Sequence, residues 1–140
     1  MRFSRGQECP RIHRFGGTEF RFSNAEAGHL HENGTLDIPF PRAIRDELLS
    51  HGLVEEHRWV PGSGWATLHI RETHDLSRAV WLMRLSYLRF ALKATPGAQE
   101  ALNRESEHLQ LTPSLHNLLA QFLPRTDFTI NRAATEGSGR

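Results

Sequence analysis

Cysteine and lysine are almost missing from this chain, with Cys9 and Lys93 the only examples of each. A single cysteine excludes an internal disulfide and removes any need for an oxidising compartment, so a cytoplasmic location is the expectation. Long apolar runs are missing too. Charges interrupt every hydrophobic stretch within a few residues, so no segment reads as a bilayer span. The first six residues carry arginines with no apolar stretch behind them, which is not the pattern of a secretory signal. Nor is there an excess of charge of one sign. Seventeen basic residues face sixteen acidic ones, a formal net charge of +1 that provides no global field for capturing nucleic acid. A glycine-rich phosphate loop, a Cys/His zinc spacing, an EF-hand loop and internal repeats are all absent. The partner expected is therefore a small-molecule substrate, with neither nucleic acid nor membrane.

What is present suits one domain with one core. The chain has 140 residues, of which 38% are hydrophobic and 24% charged, ordinary values for a folded protein. Nine histidines are more than a chain this short usually carries, and they raise the question of a site.

Residues 1–15 read as a flexible lead-in. Thr18 to Phe22 alternates, with Phe20 and Phe22 on one face of a strand. Asn24 to His31 is a second strand, turned back by Asn33-Gly34 into a third from Thr35 to Phe40. Pro41 and Gly52 bracket a helix over 42–51 that buries Ile44 and Leu48 and points Arg45 away. A second hairpin runs from Leu53 to Val60 and from Trp65 to Ile70, around a turn at 61–64.

The spacing predicts a long helix over 75–94 with two apolar stripes. Leu76, Val80, Met83, Tyr87 and Phe90 form the first, expected to cover the sheet. Trp81, Leu85, Leu88 and Leu92 form the second, which needs cover from the C-terminal segment or from a second copy in a homodimer. Residues 98–109 are weakly helical. Thr112-Pro113 opens a last helix whose face is Leu115, Leu118, Leu119 and Phe122. The fold expected is α+β: an antiparallel sheet of two hairpin regions with helices on one face. Its domain spans 16–94, followed by a helical extension over 95–130 and a disordered tail over 131–140.

Alternate residues of a strand share a face, so His29 and His31 stand about 6.5–7 Å apart along the second strand. Two imidazoles so placed can ligate one metal or flank one substrate, and they can equally be solvent-facing polar groups. The cupin His-x-His signature does not fit. Ser23 stands where it needs glycine, and Thr35 and Leu36 stand where it needs glutamate. If the two hairpins share a sheet, His57 can join the pair. Glu26 lies on the opposite face from His29 by parity, unless a bulge intervenes. Ser63 lacks the strand-to-helix elbow of a nucleophile and reads as a turn residue.

Taken together, Glu26-Ala27-Gly28-His29-Leu30-His31, Asp37-Ile38-Pro39-Phe40-Pro41, Glu56-His57, Ser63-Gly64-Trp65 and Leu85-Ser86-Tyr87 resemble the luciferase-domain family. That family holds the fungal luciferases and many small bacterial proteins. The resemblance covers about residues 16–90 in order. It carries Glu26, His29, His31 and His57 over from the fungal pattern. The Asp37 segment and Ser63-Gly64-Trp65 look like the bacterial branch. The membrane-anchoring stretch of the fungal members has no counterpart here.

Fungal members oxidise a hydroxylated α-pyrone with molecular oxygen. The resemblance therefore implies an oxygenase-type oxidoreductase acting on a small enolic or aromatic molecule. His29, His31 and His57 would be its catalytic residues, with one imidazole removing the enol proton. Glu26, Asp37, Arg42 and Trp65 would meet the substrate; from their place just after the third strand, rather than from the resemblance, Arg42 or Arg45 is expected to stabilise an anionic intermediate. Two alternatives stay open. One is a metal-dependent enzyme with His29, His31 and His57 as ligands to a transition metal and Glu26 or Asp37 nearby; the resemblance itself requires no cofactor. The other is a non-catalytic small-molecule-binding or dimerising domain.

Overall fold

The computed structural model describes residues 11–12 and 17–124. Six antiparallel strands form one sheet: β1 (Arg11–Ile12), β2 (Thr18–Phe22), β3 (Ala25–Leu30), β4 (Thr35–Pro39), β5 (Glu55–Glu56) and β6 (Trp65–His69). Their spatial order is β1-β2-β3-β4-β6-β5. Four helices complete the described fold: α1 (Arg42–Ser50), α2 (Thr73–Ala94), α3 (Ala98–Leu109) and α4 (Pro113–Ala120). The α+β reading therefore holds. The expected lead-in and tail lie outside the described residues, apart from the short β1.

The Asn33-Gly34 signal works as a three-residue turn. Gly34 donates to the His31 carbonyl at 3.0 Å and takes a positive φ of 85°. The Asn33 side chain accepts from the Thr35 amide. Beyond β4 the chain makes α1 before returning through β5, so β4 pairs with β6 and β5 becomes an edge.

That edge is much shorter than the 53–60 strand expected. Only Glu55 and Glu56 pair with β6, and His57 begins the loop that carries Trp59 to Gly62. Gly64 explains why the return is tight. A Cβ there would collide with the Phe40 carbonyl oxygen, so only glycine lets β6 start against the end of β4.

One sheet face carries Leu36, Ile38, Ala66 and Leu68 into a core shared with Ile44, Leu48, Leu82 and Met83. Phe20 and Phe22 pack on it as expected, Phe22 stacking on Phe90 with ring centroids 5.9 Å apart. Helix α2 is buried nearly all round in its middle, because the sheet lies on one side and α3 packs on the other, while α4 packs against α1 and α3. The second stripe is thus covered within the chain: Leu85, Leu88 and Leu92 are buried, and Trp81 donates its indole N–H to the Leu109 carbonyl.

Two expectations need correction. Leu76 and Val80 do not cover the sheet but are exposed at the N-terminal end of α2. Arg45 does not point away from α1 but is buried, its guanidinium bound to Asp46 and, across to β5, to Glu56.

Candidate functional site

The face of the sheet opposite the core carries polar groups in register. Along one cross-strand row stand Glu19, His29, Asp37, Thr67 and Glu55, each opposite its neighbour. Alternation adds Trp65 and His69 on β6 and Thr35 on β4. A hairpin turn brings His31 to the same side, and the loop after β5 brings His57.

Asp37 is the centre of this group. It is only 4% exposed, although it lies on the non-core face. Its Oδ1 accepts from the Thr67 hydroxyl at 2.6 Å. Around its Oδ2 lie three imidazole Nε2 atoms: His31 at 2.7 Å, His57 at 3.4 Å and His29 at 3.8 Å. The His29 and His31 rings meet edge-on, with their Nε2 atoms 3.0 Å apart. Trp65 closes one side, its ring centroid 5.8 Å from His29 and 5.7 Å from His57.

The two flanking histidines differ in which nitrogen holds the proton, as assigned from their partners. The Nδ1 of His29 lies 2.5 Å from the Glu26 carboxylate, an acceptor only, so the proton sits on Nδ1 and the Nε2 lone pair faces the cluster. His57 is the reverse. Its Nδ1 accepts from the Trp59 amide at 3.2 Å, so its neutral form carries the proton on Nε2, beside Asp37.

Glu26 reaches His29 because a bulge does intervene. Glu19 pairs with His29 and Phe20 with Gly28, but Arg21 then pairs with Glu26, leaving Ala27 as an extra residue. The slip puts Glu26 on the histidine face.

His29, His31 and Asp37 each offer one atom, all within 4.8 Å of one another, in an arrangement able to hold a metal ion. Ligands about 2.0–2.1 Å from a common ion stand roughly 2.9–3.4 Å apart, and the separations here bracket that range. The carboxylate of Asp37 thus stands with the two histidines in this group, and His57 lies 3.4 Å from that carboxylate.

A cleft of about 400 Å³ opens beside the cluster, lined by His31, Asp37, His57, Trp59, Thr67 and His69 among others. Arg42 sits apart from the cluster and donates to the Gly62 carbonyl, tying α1 to the loop. Arg45 touches Glu56, the neighbour of His57, and so braces the edge strand. Thr67 was missed from sequence, although the Trp65-x-Thr67-x-His69 alternation already placed it on this face.

Residues 24–86 match the family model of the Luciferase domain. The resemblance read from the motifs is borne out over these residues. The matched segment begins at Asn24, in the turn before β3, and ends at Ser86 on α2. It therefore contains Glu26, His29, His31, Asp37, His57, Trp65 and Thr67. No curated protein and no solved structure matches the chain significantly. Among the described residues, no helix is long and apolar enough to cross a membrane.

Proposed function

We propose that this protein is a metal-dependent oxidoreductase of the oxygenase type, with His29, His31 and Asp37 holding one divalent transition-metal ion. The observation that carries the reading is the convergence of the three donors, with His29 already turned by Glu26 to present Nε2. Two histidines and one carboxylate with open positions form the donor set of non-haem iron oxygenases. The luciferase-domain match points to the same reaction class.

The substrate is a small enolic or aromatic molecule in the cleft beside His31 and His57. Held by His29, His31 and Asp37, such an ion would supply Lewis acidity at that position. Asp37 and the two histidines fix that position, Thr67 holds the far oxygen of Asp37, and Trp65 shields the ligands from water. His57, whose Nε2 lies 3.4 Å from Asp37 and whose Nδ1 is taken by the Trp59 amide, would donate through Nε2 to an anionic oxygen in the cleft.

The test is elemental analysis and Fe²⁺, Co²⁺ and Zn²⁺ titration of purified protein, followed by oxygen uptake with enolic substrates. One equivalent of metal is expected, lost in His29→Ala and Asp37→Ala and retained in His69→Ala. Wild-type protein that binds none of the three ions sinks the reading. Binding at a hundred times Kd adds about 2.7 kcal/mol of stability, so a rise in Tm with added metal gives an independent check.

A further inference from the structure

We propose that Ser86, on the far side of the sheet from the cluster, is a positioning residue that sets the tautomer of His29 through the bulge at Ala27. The proposal deepens the metal-centre reading, but its main readout does not need a metal.

Regular alternation would put Glu26 and His29 on opposite faces, since they are three residues apart. The extra residue at Ala27 reverses this, so the Glu26–His29 contact exists only while the bulge does. A bulge takes a residue off the ladder and leaves its peptide groups in need of other partners. Ala27 is fully buried, so water cannot serve. Its carbonyl instead accepts from the Ser86 hydroxyl at 2.7 Å.

Ser86 is itself 0% exposed, in the middle of α2 beside Leu82 and Leu85, which are equally buried. A hydroxyl at such a position is justified only by a partner, and Ala27 is the partner it has. One turn earlier on the same helix, Met83 lies against β3 so closely that a Cβ on Gly28 would come 2.9 Å from its Sδ. Helix α2 thus presses on the strand at Gly28 and bonds to it at Ala27. The clamp holds the slipped register, the register holds Glu26 beside Nδ1, and the carboxylate keeps the proton there. With Nδ1 protonated, Nε2 of His29 keeps its lone pair towards His31 and Asp37.

The experiment records the ring ¹⁵N shifts of His29 in metal-free protein, assigned by their loss in His29→Gln. Wild type is expected to show the Nδ1–H form. Ser86→Ala, smaller and a better helix former, is expected to fold and to shift His29 towards the Nε2–H form. Ser86→Cys fills the volume with a weak donor and should move His29 the same way, whereas Ser86→Thr keeps the hydroxyl and should restore the wild-type tautomer. Leu82→Ala controls for packing: it should lower Tm and leave the tautomer alone.

Folded Ser86→Ala or Ser86→Cys with His29 still in the Nδ1–H form overturns the proposal. Co²⁺ titration forms the second arm, with affinity expected to fall about 10–100-fold in Ser86→Ala, the usual effect of losing a ligand's outer partner. If wild type binds no Co²⁺, the metal-centre reading fails while the tautomer arm still judges Ser86.

Discussion

At Asp37, burial and hydrogen bonding decide what the side chain can do. One oxygen is committed to Thr67 and the other is left to the imidazoles, so the carboxylate can neither rotate nor reach solvent freely. Thr67→Val keeps the shape and removes the donor. It should cost about 1–3 kcal/mol, the range for stranding a buried acceptor, and loosen metal binding as Oδ1 becomes free to swing. Chemical denaturation and Co²⁺ titration of the same variant separate the two effects. His29, His31 and Asp37 were legible as candidates from alternation and motif order. The proton placement on His29 and His57 was not, because it depends on Glu26 and on the Trp59 amide, contacts that exist only after folding.

Among the elements, α2 does most to join sheet and extension, and its first turn is closed by its own sequence. Asp75 accepts from the backbone amides of Arg71 and Glu72, at 2.9 and 3.0 Å. These bonds hold its carboxyl below the ordinary carboxylate value. A pKa lowered on folding contributes stability that is present above the unfolded value, near 3.9. That stability is lost as pH falls through the lower folded value. Asp75→Asn should therefore lower stability at neutral pH, flatten the acid limb of a stability-against-pH curve below about pH 4, and converge on the wild type at the acid end. Equilibrium unfolding over that range checks it; an unchanged acid limb would count against the cap.

Strand ends were harder to foresee than this helix. The 53–60 segment alternates like a strand, yet only Glu55 and Glu56 pair, because β6 has its other edge on β4 and Gly64 brings the chain hard against Phe40. Arg45 was read as solvent-facing because helical periodicity cannot see an acidic partner arriving from β5.

For the whole molecule, the described helices and sheet share one hydrophobic core, to which Leu102 of α3 and Leu119 of α4 contribute fully buried side chains. Leu102→Ala and Leu119→Ala should each cost about 2–5 kcal/mol and lower the midpoint of a single cooperative transition. Truncation after Ala94 would uncover Trp81, Leu85, Leu88 and Leu92. The shortened chain should aggregate or melt well below the full one in a thermal scan.

The amino-acid order alone determined the α+β class, the two hairpin regions, the long two-striped helix and the pair of histidines on one strand face. Each follows from local periodicity or turn chemistry, which a linear chain carries in itself. Tertiary structure decided that Asp37 joins His29 and His31, that His57 Nε2 stands 3.4 Å from Asp37, and that α3 packs over the second stripe. It also decided that Glu26 reaches His29, since one unpaired residue at Ala27 reverses the parity that alternation assigns. That slip is held by a serine 59 positions further along the chain. Contacts between residues so far apart in sequence are chosen by packing, which no local pattern encodes.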